Sequence, residues 1–266
     1  MFEGCESLEN INIKIFGENK LTNLNTVFNY CISLKEIDLS NFGTKYMTEL
    51  EATFQNCVSL EKINFGNFDI SRLKSINNIF NGCLNLKAVD ISMFNMNYLI
   101  NASFAFSDCK SLESIYLPEQ MISLESTNNM FKNCFNLTYI NLGFLKSASQ
   151  WKSSISMFDG CINLNEINFP VVKTNLLKNT SRMFLGCSSL TSINLEGLYA
   201  NSINSMDYMF SGCINLIYLN IYNLNTRNEP DCSHIFENVS KKISIIIDRL
   251  KTGVYLQQEI DKLSFE

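Results

Sequence analysis

Phenylalanine returns along this chain at Phe2, Phe28, Phe54, Phe80, Phe106, Phe131, Phe158, Phe184, Phe210 and Phe236. Three residues after each of the first nine stands a cysteine: Cys5, Cys31, Cys57, Cys83, Cys109, Cys134, Cys161, Cys187 and Cys213. Successive cysteines lie 26 residues apart, apart from one step of 25 and one of 27 on either side of Cys134, and Val239 takes the tenth position. A period of this length is the signature of stacked units, each unable to bury its own apolar face, so that the core forms only between neighbours. The chain is therefore expected to be a single solenoid rather than two globular domains.

Within each unit a leucine follows the cysteine by three residues, from Leu8 and Leu34 through to Leu216, with Lys242 the one departure. Apolar pairs follow at six and eight residues: Ile11 and Ile13, Ile37 and Leu39, Ile63 and Phe65, Ile193 and Leu195. The unit reads F-x-x-C-x-x-L-x-x-[IVL]-x-[LIF]. Apolar side chains two residues apart mark a short strand with one buried face. The other half, as in Leu73, Ile76, Ile79 and Phe80, spaces its apolar residues by three and four, which predicts one or two α or 3₁₀ turns. The expected fold class is α/β: about ten right-handed coils over residues 1–250, with a continuous parallel sheet on the concave side and short helical turns on the convex side. Residues 251–266 leave the pattern, and "YLQQEIDKL" alternates as a short amphipathic helix would, so this segment is expected to cap the open end of the core.

The pattern L-x-x-L-x-L is that of leucine-rich repeats. More narrowly, "M-F-x-G-C-x-x-L-x-x-I-x-L" resembles the BspA-type leucine-rich repeats found in surface proteins of bacteria and protists. A D-L-S-x-F continuation belongs to the same pattern; Asp38 to Ser40 with Phe42 reproduce it, as do Asp90 to Ser92 with Phe94, where Ile91 replaces the leucine. The resemblance covers residues 1 to about 250. It implies a leucine-rich repeat solenoid and a cell-surface or extracellular adhesion module that binds a protein partner. Fold does not fix function, and an intracellular, cytoplasmic scaffold for protein partners stands as the alternative. Free thiols in every repeat and the lack of an export signal lean toward the scaffold. The chain begins inside a repeat, with Met1 and Phe2 already at motif positions, as a fragment of a longer protein would, and this leans toward the surface reading.

The cysteines occupy one register of the stack, so consecutive thiols are expected about one strand spacing apart, roughly 4.8 Å. That distance permits a disulfide. However, side chains at one register point in parallel rather than toward each other, and nine rungs cannot all pair. A structural ladder of reduced, buried, unmetallated cysteines from Cys5 to Cys213 is expected. No metal site is expected, because zinc ligands come as C-x-x-C or histidine pairs and His234 is the single histidine. Cys232 and His234 read as a loop thiol and a solvated imidazole.

Nothing points to catalysis: there is no nucleophile with a base, no paired carboxylates and no phosphate-cradling glycine loop. The chain reads as non-enzymatic and needing no cofactor. Gly4, Gly82, Gly160, Gly186 and Gly212 sit in a G-C step, where a tight turn accounts for them. A net charge of −5 without a Lys/Arg stripe argues against nucleic acid as a partner, and the longest late apolar run, Ile243 to Ile247, is too short to insert in a membrane. The sequons at Asn101, Asn136, Asn179 and Asn238 are no more frequent than this composition produces by chance.

Between the buried positions of each strand lie solvent-facing ones. Seven residues after each cysteine stand Asn12, Asp38, Asn64, Asp90, Tyr116, Asn141, Asn168, Asn194 and Asn220, a polar ladder broken by one tyrosine. Asn and Asp suit a strand edge and cross-bond along the stack. Tyr116 falls where the period slips, and Tyr139 follows on the next coil, with Tyr218 at the same register three coils later. Exposed tyrosines supply contact area at little rotamer cost. The candidate binding residues are Ser114, Tyr116, Thr138, Tyr139, Asn141 and Tyr218. Trp151 lies in the same irregular region on the helical side, as a gap-filling core residue.

Overall fold

The structure, a computed structural model, describes residues 1–11, 21–40, 44–66 and 68–265. Asn12, Ile13 and Phe42 lie outside the described residues. Ten three-residue or shorter strands recur once per coil, each beginning five residues after the cysteine register. They are β1 (Asn10–Ile11), β2 (Glu36–Asp38), β3 (Lys62–Asn64), β4 (Ala88–Asp90), β5 (Ser114–Tyr116), β6 (Tyr139–Asn141), β7 (Glu166–Asn168), β9 (Ser192–Asn194), β11 (Tyr218–Asn220) and β12 (Ser244–Ile246). Two further strands, β8 (Val172–Thr174) and β10 (Leu198–Ala200), pair beside them. All pairs are parallel and offset by one repeat, as in Ile37 against Ile63. Ten rungs thus span nine full turns of a leucine-rich repeat solenoid.

The core is a column of rings. Phe2, Phe28, Phe54, Phe80, Phe106, Phe131, Phe158, Phe184, Phe210 and Phe236 stack on one another with centroids 5.5 to 6.0 Å apart. Leu34, Leu60, Leu86 and the later leucines of this register are fully buried beside it, and Leu8 is half-buried. Trp151 is buried as well, its Nε1–H donating to Thr127 Oγ1 at 3.1 Å, in keeping with a gap-filling role.

The coil's other half holds less helix than its apolar spacing predicts. Among the described residues one 3₁₀ helix, Gly143–Ser147, occurs in the 27-residue step, and the other coils make hydrogen-bonded turns there. The reason is that alternate N–H groups leave the coil. Val27, Asn29 and Cys31 donate three residues back, but Thr26, Phe28 and Tyr30 donate to Glu51, Thr53 and Gln55 of the next coil at 2.9 to 3.0 Å. That alternation needs left-handed backbone five residues and one residue before each cysteine, seen at Thr26 and Tyr30, Ala52 and Asn56, Asn78 and Gly82, Arg182 and Gly186. A helix cannot continue through such residues. Glycine adopts this conformation without steric cost, which explains the G-C step. An unbroken chain of single parallel bridges, Asn23 to Glu49 to Ser75 and onward to Asp231, runs along the same side.

The strand side is the interrupted one. Instead of one continuous sheet, the strands pair as β1-β2-β3, β4-β5, β6-β7 and β9-β11-β12. Most strands are closed by an Asx turn, in which the side chain seven residues after the cysteine accepts the N–H two residues on: Ser40 to Asp38, Ser92 to Asp90, Gly143 to Asn141 and Glu196 to Asn194 at 2.9 to 3.0 Å. After β5 and β7 that position is Pro118 and Pro170, which have no N–H, and the β5/β6 and β7/β9 seams follow. The β3/β4 seam follows Gly66, at φ +51 the one left-handed strand exit among the described residues.

Helix α1 (Val254–Phe265) lies against the last coil. The Glu229 carboxylate accepts the Val254 and Tyr255 N–H groups at 2.9 and 3.0 Å, Leu256 is buried, and Ile260 and Leu263 pack on the core.

Candidate functional site

Along most of the strands that follow the cysteine register the middle residue points into the core and its neighbours point out, as in Glu36–Ile37–Asp38 and Tyr139–Ile140–Asn141, whereas in β8 and β10 the middle residue is the exposed one. The polar ladder on the outward face is cross-bonded: Asn64 Nδ2 donates to Asp38 Oδ1 and Asn168 Nδ2 to Asn141 Oδ1, both at 3.1 Å. Tyr116 has no amide to continue it. Tyr116 is 58% exposed, and Tyr139 on the next coil 45%.

The β5/β6 seam opens between these two tyrosines into a cleft of about 980 Å³. Ser114, Tyr116, Tyr139 and Asn141 line it, Pro118 forms part of one wall, and the 3₁₀ helix contributes Phe144 and Lys146. Where neighbouring strands pair, the residue five after the cysteine donates its N–H to the preceding coil, as Ser114 does to Lys87 at 3.3 Å and Glu166 to Thr138 at 3.3 Å. The residue eight after the cysteine donates to the following coil, as Ile91 does to Tyr116 at 2.9 Å and Leu142 to Asn168 at 3.0 Å. At this seam, as at β3/β4 and β7/β9, neither bond forms, so Tyr139 N–H and Leu117 N–H have no main-chain acceptor among the described residues. Glu113 and Glu119, exposed at the rim, have no ion-pair partner among the described residues, and neither has Lys146.

Beneath this face runs the thiol ladder. Each Sγ–H from Cys31 to Cys213 donates to the carbonyl of the phenylalanine one coil back, from Phe2 to Phe184, at 3.0 to 3.1 Å. Burial pushes the Cys57 and Cys213 thiols up to about 12 and raises those of Cys83, Cys109, Cys134, Cys161 and Cys187 as well. These thiols are packing groups with a hydrogen bond, far from the thiolate form that reacts or binds metal.

Residues 1–118, 50–167 and 125–248 each match the model of a family described as Mycoplasma protein of unknown function, DUF285. The chain belongs to the DUF285 family. A comparison with curated proteins finds no match. Solved structures similar to it include a leucine-rich repeat protein from Bacteroides ovatus, 21% identical over 93% of this chain and 80% of that one, with a TM-score of 0.35. A leucine rich cell surface protein from Faecalibacterium prausnitzii is 18% identical over 87% and 78%, TM-score 0.35, and a T. pallidum leucine rich repeat protein 17% over 92% and 78%, TM-score 0.31. The repeat motif, the family and the coil geometry agree: this DUF285 chain is a BspA-like leucine-rich repeat protein.

Of the six candidate residues, the structure of this family member brings Ser114, Tyr116, Tyr139 and Asn141 together in one cleft. Thr138 is exposed just outside its lining, and Tyr218 lies coils away and is half-buried between Ser192 and Ser244 of the neighbouring strands. Glu113, Pro118, Glu119 and Lys146 were not singled out by sequence reasoning. A proline standing where the Asx turn needs an N–H was the signal that could have found them.

Two cysteine expectations are corrected. Cys5 is exposed rather than buried: no described residue packs over it as the coils on either side pack over the later rungs. Cys232 is no loop thiol: at 3% exposure it fills the inward register held by Leu24 and Leu50, and burial, then Asp231, Glu259 and Glu229, push it up to about 12. His234 is exposed and stacks on Tyr208 at 4.6 Å. Among the described residues no cluster of three ligating side chains is placed to hold a metal ion, and no helix is long and apolar enough to cross a membrane.

Proposed function

We propose that the chain is a non-enzymatic protein-binding module whose partner docks on the strand face at the β5/β6 cleft, with Tyr116 and Tyr139 as anchors. The observation that carries this reading is the cleft itself: the one register where a tyrosine replaces Asn or Asp is also a place where the sheet opens. Two exposed rings over a polar-rimmed groove match the anatomy of an interface centre. Solenoids offer such extended faces for binding. Partner capture followed by titration tests it. Tyr116→Ala with Tyr139→Ala should weaken binding at least about tenfold with the fold intact, and undiminished binding moves the site elsewhere.

The resemblance to BspA-type repeats supports display at the cell surface. The thiols, which first leaned toward a reducing compartment, carry no such weight: eight of the nine ladder thiols are buried and bonded, and they stay reduced by geometry in either place. Protease shaving of intact cells tests this. Loss of the protein from intact cells fits surface display, and survival until lysis fits the cytoplasmic scaffold.

A further inference from the structure

The surface tyrosines of this chain fall into two groups. Tyr46, Tyr199, Tyr208 and Tyr222 each carry a cation from the chain itself: Lys45 and Arg72 over Tyr46, Lys173 over Tyr199 at 5.7 Å, Arg182 over Tyr208 at 5.4 Å and Lys251 over Tyr222 at 5.2 Å. Among the described residues Tyr116 and Tyr139 carry none, and the carboxylates of Glu113 and Glu119 beside them have no counter-ion. Tyr255 also lies beside carboxylates, but there Glu229 caps helix α1 and Glu259 pairs with Lys262. Tyr30 and Tyr98 carry no cation among the described residues either, but they do not line this cleft.

An aromatic face attracts a desolvated cation, and a nearby carboxylate adds to the attraction. The cleft therefore holds two elements of a cation site that lack their cation, offset only by Lys146 on the opposite rim. Its edges add unpaired main-chain donors at Leu117 and Tyr139. An extended polypeptide brings carbonyl acceptors at the spacing such donors require.

We infer that the cleft takes an extended protein segment through a basic side chain, Lys or Arg, held between the Tyr116 and Tyr139 rings and the Glu113 and Glu119 carboxylates, with carbonyls of the segment on Leu117 N–H and Tyr139 N–H. This rests on the reading of the cleft as the binding site and adds what that site selects.

The test uses capped heptapeptides identical except for a central Arg, Lys, norleucine or Glu, titrated against the full chain and against three variants: Glu113→Gln with Glu119→Gln, Lys146→Gln, and Tyr116→Ala with Tyr139→Ala. The Arg and Lys peptides should bind at least about tenfold more tightly than the norleucine peptide. That preference should shrink with added salt, vanish in the double Gln variant and survive in Lys146→Gln. Equal or better binding of the norleucine or Glu peptide, a preference that survives the double Gln variant, or no binding of any peptide overturns the inference. The site reading fails separately. If the tyrosine variant loses every peptide without regard to charge, the cleft is the site and its cation selectivity is wrong; if it loses none, the site lies elsewhere.

Discussion

The thiol of Cys83 donates to the main-chain carbonyl of Phe54, 3.1 Å away and one coil earlier, and the same carbonyl accepts the N–H of Cys57 at 3.1 Å. One acceptor thus ties its own turn and the turn above it. The repeat F-x-x-C follows from this: the phenylalanine supplies both the stacked ring and the carbonyl, and the cysteine is small enough to reach it.

This geometry changes what substitution of a rung should do. Cys83→Ser would bury a hydroxyl, for which the Phe54 carbonyl stands ready as acceptor. Both Cys83→Ser and Cys83→Ala should destabilise by about 1 to 2 kcal/mol, mainly through lost packing, because the Phe54 carbonyl keeps its second donor. Denaturant titration of both variants checks this. A serine variant less stable than the alanine variant by more than about 1 kcal/mol would mean the hydroxyl finds no partner.

Thiol titration should separate the rungs. Cys5 should react promptly in the native state, and the buried rungs and Cys232 only after unfolding, without reductant. The pH dependence has a definite sign. The folded values of Cys57, Cys213 and Cys232 lie up to about 12, above the ordinary thiol near 9, so the unfolded chain loses these protons first. Their contribution to stability is complete below the unfolded value and is lost as pH rises from there through the folded value. Stability should therefore fall steadily from about pH 9 toward 12. Alanine at two of these positions should flatten that fall, and an unchanged slope would contradict the assignment.

We propose residues 251–266 as a cap for the last coil. Truncation before Val254 removes Leu256 from the core end and the acceptor role of Glu229 with it. In a solenoid each coil touches only its neighbours, so the loss should be local. Amides near Phe210 and Phe236 should exchange faster and those near Phe54 unchanged; uniform acceleration along the chain would show that the helix supports more than the end.

The coil period, the strand register and the in/out alternation were legible because each depends on the spacing of side chains alone. The turn half was not. Leu73, Ile76, Ile79 and Phe80 have helical spacing, but Asn78 and Gly82 are left-handed, and the alternating bonds to the next coil cannot be read from apolar spacing. The site was half legible. Tyr116 stood out as a break in an Asn/Asp ladder, whereas its cause, Pro118 two residues on, requires knowing that the ladder's oxygens accept that N–H. Cys232 was misread by its neighbour His234, although counting back seven from Val239 puts it in register with Leu24.

Restoring the ladder should close the cleft. In Tyr116→Asn with Pro118→Ser the Asx turn of the other coils becomes available, and β5 and β6 should pair. We expect a gain of about 0.5 to 1 kcal/mol and loss of partner binding together. A more stable variant that still binds would separate the seam from the site.

The account turns on the sheet being open at the cleft while the turn side is unbroken, and residue-resolved amide exchange of the unliganded chain tests that most directly. Phe106 and Phe131 N–H, each bonded to the next coil at 2.9 Å, and Ile91 and Leu142 N–H, bonded across intact strand pairs, should exchange slowly. Leu117 and Tyr139 N–H should exchange at least about a hundredfold faster. If those two are protected as well as Ile91 and Leu142, the sheet is continuous through Tyr116 and Tyr139 and the cleft does not exist.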